Sequence, residues 1–280
     1  GAHVRAWQAR APMLPVEQRI AAAQTAASLG VFSNASLVEL YSLMADSADP
    51  SEFNETVGGR LRTAFVARDR NARINALRDL WDDGGDDPVQ RHARLILTAT
   101  AAARILPSAE LEEDAPELIA SMLTGGLDAR AAGWAAAADA MEGADGDVAW
   151  ALVALASPRG GVDTGRLSSF ASNDNSQGDI RTKLLVAGLA GLGKIAGSAQ
   201  EVADDMAVNL NAQNRWTRLI DHAAVRGQQG TVVLLAAAGM QTGGWAGVPP
   251  HHLYRIVRAL REVGLEYEAR MIAAEAVARL

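Results

Sequence analysis

Apolar residues recur along this chain with the three-to-four-residue spacing of amphipathic helices, and no segment sustains the alternation of a β-strand. Between residues 61 and 81, for example, apolar side chains at Leu61, Phe65, Ile74 and Leu77 are separated by arginines. This spacing predicts one or two helices with a solvated basic face. Gly, Pro and Asp runs interrupt the pattern roughly every 15–20 residues. The sequence therefore predicts an all-α protein of short helices.

Polar residues mark several of the predicted helix boundaries. Ser36 is predicted to cap a helix over residues 37–45, and Glu39 three residues later completes a capping box. The acidic runs at 82–87 and 145–147 are predicted to be solvated turns. Their carboxylates lack the alternate-residue spacing and the distal Glu of a helix–loop–helix calcium site.

The longest polar, turn-forming run lies near the middle of the chain, where residues 172–178 read Ser-Asn-Asp-Asn-Ser-Gln-Gly. Such a run favours a loop over a packed helix. We expect a polar linker or loop at 158–178. It would separate an N-terminal helical region at 1–157 from a helical-hairpin region at 179–280. The alternative is one continuous domain.

The C-terminal region repeats itself after 37 residues. The shift pairs apolar or glycine positions: Trp216 with Leu253, Leu219 with Ile256, Ile220 with Val257, Ala223 with Leu260, and Gly227 with Gly264. Each unit consists of an apolar stripe, a glycine turn and a second stripe with small residues. This pattern predicts antiparallel helical hairpins, with helices over 215–225, 231–240, 250–263 and 266–280.

A repeated hairpin with bulky residues on its first helix and small ones on its second resembles the tetratricopeptide-like class of α-solenoids. Residues 265–276 are similar to the second helix of such a unit. The resemblance covers about 100 residues, and the characteristic Trp, Gly, Tyr and Pro positions of the consensus repeat do not recur. It implies stacked antiparallel hairpins with a concave surface for protein partners. An irregular helical bundle is the alternative fold.

Composition narrows the function classes. Phe, Trp and Tyr make up only 5% of a chain that is 49% hydrophobic, and an Ala-rich, aromatic-poor composition favours closely packed helices. The net charge of −7 argues against a nucleic-acid partner, because phosphate neutralisation needs a basic surface. The chain has no Cys, which excludes disulfides and thiolate chemistry. No apolar run is long enough to predict a transmembrane helix.

Two features bear on origin and location. Of the 26 basic residues only Lys183 and Lys194 are lysine, a bias typical of a GC-rich bacterial genome. The chain begins Gly1-Ala2-His3 without an initiator Met, so we expect an upstream targeting segment to have been removed. We therefore expect part of a longer bacterial protein. Absence of Cys fits the periplasm and the cytoplasm equally, and a location in the periplasm or at the cell envelope is slightly favoured over the cytoplasm.

One segment is similar to a nucleotide-binding motif. Residues 188–194 match the phosphate-loop pattern G-x-x-x-x-G-K, but Ile195 stands where Ser or Thr should hold Mg²⁺. The residues before it fall in a helical register, whereas a phosphate loop follows a strand. The alternative is a glycine-containing helix that packs closely against its neighbours and ends near Gly193. We expect no metal or cofactor site, and the sequence offers no catalytic set.

Aromatic and basic residues cluster around the start of the last predicted hairpin. Trp, Tyr and Arg are enriched at binding hot spots, whereas Trp216 is expected to pack between helices because it aligns with Leu253. The candidate partner-binding residues are Trp245, His251, His252, Tyr254, Arg255 and Arg258.

We therefore expect a non-enzymatic helical-repeat interaction or scaffold module that binds a protein partner. One alternative is a nucleotide-binding enzyme that uses residues 188–194, and another is a structural accessory of the bacterial cell envelope. The C-terminal helix has little of the polar outer face of a terminal repeat. We expect it to pack against a partner, against a second copy in a homo-oligomer, or against residues folded back from elsewhere in the chain.

Overall fold

The structure, a computed structural model, describes residues 1–47, 49, 52–158 and 160–280. Within these residues it is all-helical, with 73% helix and no strand, which confirms the predicted fold class at this level. An isolated bridge joins Val162 and Ile195. In the described part of the chain, no helix combines the length and apolarity needed to cross a bilayer.

The chain forms two compact units. The first consists of residues 1–107 and 117–131, and the second of 108–116 and 132–280. The predicted linker at 158–178, of which residue 159 lies outside the described part, falls inside the second unit. Most of it is helix, and this helix buries Leu167 and Phe170. Two apolar side chains three residues apart are enough to attach an otherwise polar segment to a core.

The helices of the first unit run as follows, with α7 and α8 each extending past its boundary by one or two residues. They are α1 Ala2–Arg10, α2 Val16–Ser28, α3 Asn34–Ser47, a 3₁₀ helix Phe53–Glu55, α4 Val57–Val66, α5 Arg70–Asp82, α6 Pro88–Ala102, α7 Ala115–Thr124 and α8 Asp128–Ala132. The alanine-rich helix α2 packs against α1, α3 and α6, because its small side chains let helix backbones approach.

The start of α3 differs from the predicted capping box. The helix begins at Asn34, and the hydroxyl of Ser33 accepts a hydrogen bond from the Ser36 amide at 3.2 Å. Ser36 therefore lies inside the helix and does not cap it. The Asn34 side chain donates to the carbonyl of Ile96 on α6. The helix therefore starts three residues before the predicted position, and its first residue is held by a contact across 62 positions of sequence.

The second unit contains the remaining helices. They are a 3₁₀ helix Ala109–Asp114, α9 Ala135–Asp139, α10 Gly143–Ala156, α11 Thr164–Asn173, a 3₁₀ helix Gln177–Asp179, α12 Ile180–Leu192, α13 Ala199–Asp205, α14 Arg215–Val225, α15 Gln229–Gly239, a 3₁₀ helix Trp245–Gly247, α16 Pro250–Glu262 and α17 Glu266–Ala278. Helix α12 packs against α10, α16 and α17, and it is buried from Leu184 to Leu192.

The two C-terminal hairpins, α14–α15 and α16–α17, have the same turn. Gly227 and Gly264 both adopt positive φ. The amide of Gln228 donates to Ala223 O at 2.9 Å, and that of Leu265, 37 residues on, donates to Leu260 O at 2.8 Å. This is the hydrogen-bond pattern of a helix end closed by a left-handed residue. Helix α16 packs against both α14 and α15, so the first helix of the second hairpin contacts both helices of the first.

The acidic run at 145–147 is not a solvated turn, so that prediction is wrong. Helix α10 begins at Gly143, and Asp147 is only 1% exposed. Its carboxylate forms an ion pair with Arg166 at 2.8 Å and accepts hydrogen bonds from Ser169 at 2.9 Å and Asn173 at 2.8 Å. All three partners lie on α11, so this carboxylate joins two helices. A buried carboxylate requires such partners.

The C-terminal helix α17 is covered from within the chain. It packs against α10, α12 and α16, and it buries Ala269, Ala273 and Ala276 completely. The guanidinium of Arg270 donates to the carbonyl of Ala156 at the end of α10. Three kinds of contact were expected for this helix: a partner, a second copy, or residues from elsewhere in the chain. The structure shows the third. A homo-oligomer through α17 stays a prediction.

Candidate functional site

The structure brings two of the candidate binding residues into contact in the first turn of α16. The rings of His251 and His252 lie 4.6 Å apart, edge to face. The ring of His252 also lies 4.3 Å from that of Trp216 on α14, and its Nε2 is 3.0 Å from the side-chain nitrogen Nδ2 of Asn214. The histidines are therefore half-buried in the contact between two hairpins.

This environment lowers the pKa of both imidazoles. For His251 the cause is burial, followed by the positive charge of Arg255. For His252 it is burial, followed by His251, although a hydrogen bond to the backbone of Gly239 opposes the shift. Both rings are therefore neutral at pH 7 and act as aromatic packing groups with hydrogen-bonding nitrogens.

The other candidate residues of α16 divide between packing and surface roles. Arg255 is buried and donates to the Asp221 carboxylate at 2.7 Å, so it holds α16 to α14. Its guanidinium also lies 5.5 Å from the ring centroid of Tyr254. Arg258 is half-buried and donates to Glu262 at 2.8 Å on the same helix. Trp245 is half-buried in the 3₁₀ helix that precedes α16.

The phosphate-loop-like segment is a packing helix followed by a structural lysine. Helix α12 ends at Leu192, and Gly193 takes the left-handed conformation that ends helices. Lys194 is buried, and its Nζ donates to three carbonyls of the end of α10, those of Ala154, Leu155 and Ser157, all within 3.0 Å. Burial, assisted by the charge of Arg270, lowers the pKa of Lys194 to about 8.

This geometry disfavours phosphate binding at residues 188–194. A phosphate loop needs free backbone amides after a strand and a lysine aimed at the phosphates. Here the lysine is directed to the carbonyl end of a helix, where a cation compensates the helix dipole. The glycines serve close packing, because a Cβ on Gly191 would lie 2.9 Å from Tyr254 O.

An exposed apolar surface lies on the α14–α15 hairpin, and the sequence analysis did not identify it. Helix α15 carries no charged residue, yet it buries only Val232 and Ala236. Leu234 is 73% exposed and Val233 45% exposed. A helix that is apolar on all sides is normally buried, so the apolar run predicts packing for α15. The place of α15 in the second unit leaves one side of this helix exposed to solvent.

Helix α14 extends this surface. Leu219 is 48% exposed and Val225 is 80% exposed. We call Leu219, Val225, Val233 and Leu234 the hairpin face. Its residues belong to two helices that pack against each other and that bury Ile220, Ala223 and Ala236. The hairpin face is therefore a surface of the folded unit and is not part of its core.

The potential metal ligands are dispersed over the part of the chain that the structure describes. In the ranges that the structure describes, no three His, Asp or Glu residues are grouped so that they could hold a metal ion. The buried carboxylate of Asp147 accepts hydrogen bonds from two side chains of α11. In comparisons with protein-family models, with curated proteins and with solved structures, nothing matches this chain.

Proposed function

We propose that this chain is a helical-hairpin interaction module that binds a protein partner through the hairpin face. The observation that carries the proposal is the uncovered apolar helix α15, with Leu234 73% exposed. Four large apolar side chains of one hairpin are exposed, and exposed apolar surface of this kind is characteristic of interaction sites. The proposal does not need a catalytic or cofactor site.

Energetics support a partner for this surface. Burying a Leu or Val side chain stabilises by about 1.5–3 kcal/mol relative to full exposure. Leu234 and Val225 are largely exposed, so most of this stabilisation would be gained only when a partner buries them. Two or three such residues, buried together in an interface, would contribute a few kcal/mol to binding.

The repeat supports a helical-repeat scaffold. The α14–α15 and α16–α17 hairpins have the same glycine turn, and α16 packs against both helices of the preceding hairpin, as expected for neighbouring units of an α-solenoid. A hairpin at the edge of such a stack lacks a neighbour on one side. The uncovered side of α15 provides the surface on which another chain can continue the stack.

Site-specific photo-cross-linking tests the proposal. A photoreactive amino acid replaces Leu234 in the full chain, and a matched control carries it at Leu106, which is 78% exposed but lies outside the hairpin. We expect discrete protein adducts from position 234 in a lysate of the source cells and none of the same adducts from position 106. The adducts should disappear when Val233→Glu is added. Identical adduct patterns from both positions would refute a specific surface.

A further inference from the structure

The exposed charged residues of the α14–α15 hairpin are all arginines, and this property indicates the partner of the hairpin face. The inference rests on the proposed function. Three exposed arginines, Arg215, Arg218 and Arg226, belong to or directly follow α14. Asp221 is the one acidic residue of the two helices, and it is paired with Arg255. A net positive border in a chain of net charge −7 is a local segregation of charge.

No interaction within the described part of the folded chain explains the position of two of these arginines. Arg215 is the first residue of α14, and Arg218 follows one turn later. The helix dipole disfavours cations at a helix N-terminus and favours acidic residues there. Among the described residues, neither guanidinium has an ion pair or a hydrogen bond. Their position is unfavourable for the isolated helix, which is consistent with a charge selected for an external group.

The shape of the hairpin face fits a helix. Along α15 the exposed positions Thr231, Leu234 and Ala238 follow the i, i+3, i+7 spacing of one helical stripe. Leu234 projects between small neighbours, so another helix can approach closely on either side of it. Helix α15 is about 16 Å long, as expected for 11 residues, and the stripe from 231 to 238 covers about 10 Å of it, which matches about two turns of a partner.

From these observations we propose that the hairpin face binds an acidic amphipathic helix of another protein. Its apolar stripe would pack on Leu219 and Leu234, and its flanking Asp and Glu side chains would pair with Arg215 and Arg218. A second copy of this chain is a poorer occupant, because a symmetric contact would bring the exposed arginines of both copies into one interface without adding acidic partners. A membrane is also a poorer occupant, because no Trp, Tyr or Phe is exposed on the hairpin face to anchor it in lipid.

Peptide binding to the full chain tests this chemistry. Three labelled amphipathic peptides of about 18 residues share one leucine stripe and differ only in flanks of Glu, Gln or Lys. By fluorescence anisotropy at about 50 mM NaCl, we expect the Glu peptide to bind at least tenfold more tightly than the Gln peptide, and the Lys peptide not to bind. The preference should shrink in about 500 mM NaCl, because salt screens exposed charges.

Two variants separate the contributions. The double variant R215E/R218E should reverse the preference toward the Lys peptide while its melting temperature stays the same or rises, since acidic residues suit that helix end. The matched control R62E/R68E reverses two exposed arginines of the other unit and should bind like the wild type. Leu234→Ser should abolish binding of every peptide.

The outcomes distinguish the two proposals. Equal affinity for the Glu and Gln peptides, lost in Leu234→Ser, would overturn the acidic partner and leave the interaction surface intact. Peptide binding that is unchanged in Leu234→Ser would overturn the surface itself. Binding to vesicles of about one-third phosphatidylserine, with no peptide binding, would overturn the inference in favour of a membrane. A dimer in light scattering that Leu234→Ser dissociates would overturn it in favour of a second copy.

Discussion

Gly191→Ala tests whether the glycines of α12 serve close helix packing. Gly191 lies in the contact between α12 and α16, where an added Cβ would come 2.9 Å from the Tyr254 carbonyl and 2.9 Å from two carbons of Val257. These contacts are well inside normal van der Waals distance. Part of the obstruction is backbone, so a side-chain rotation cannot relieve it. The two helices must move apart, or the variant must remain strained.

The expected cost follows from two opposing effects. Forcing an extra carbon into a packed helix contact destabilises by about 1–3 kcal/mol. Replacing Gly by Ala inside a helix stabilises by about 0.5–1 kcal/mol. Gly230→Ala on α15 provides the matched control, because a Cβ there meets nothing within 4 Å and only the favourable effect remains. We therefore expect the free energy of unfolding of Gly191→Ala to be about 1–3 kcal/mol lower than that of Gly230→Ala.

Urea unfolding of the two variants and the wild type, followed by circular dichroism, measures this difference. Gly188→Ala should fall between them, since its Cβ would meet only side chains and at the longer distances of 3.0 Å to Leu155 and 3.1 Å to Ala273. If Gly191→Ala were as stable as Gly230→Ala, close packing would not explain that glycine. ATP titration of Gly191→Ala and wild type should give no heat with either.

Three further predictions concern the buried polar groups. Asp147→Ala should destabilise by about 3 kcal/mol in urea unfolding, because it leaves Arg166 without its ion-pair partner, and equal stability would contradict that role. Lys194→Met should destabilise by about 1–3 kcal/mol at pH 7, since three carbonyls lose their donor. The pKa of Lys194 is about 8 in the folded chain and higher in the unfolded chain. Wild type should therefore gain stability relative to Lys194→Met as the pH rises from 8 toward 10. A stability difference between the two proteins that stays constant over this range would contradict the lowered pKa. The pKa of His252 is lowered in the folded chain, so on acidification the unfolded chain takes up the proton first. Wild type should therefore lose stability relative to His252→Gln as the pH falls below 6.5. Parallel pH profiles of melting temperature for the two proteins would exclude the histidine as the cause.

The sequence by itself was sufficient for the features that depend on neighbouring residues. The all-helical class followed from apolar spacing, and α14 was predicted over the residues that it occupies. Gly227 and Gly264 were predicted as turns, and both have the positive φ that glycine adopts without steric cost. These properties are local, because a helix forms its hydrogen bonds within four residues.

Only the tertiary structure decided which polar and apolar groups are covered. Asp147 is buried because α11 supplies its partners 19–26 residues away, and Lys194 is structural because the end of α10 lies 37–40 residues before it. Leu234 and the buried residues of α12 have the same apolar character in sequence, yet α12 has helices on several sides and α15 has an open one. Burial is a property of distant segments that meet in space, so the pattern of one helix cannot specify it.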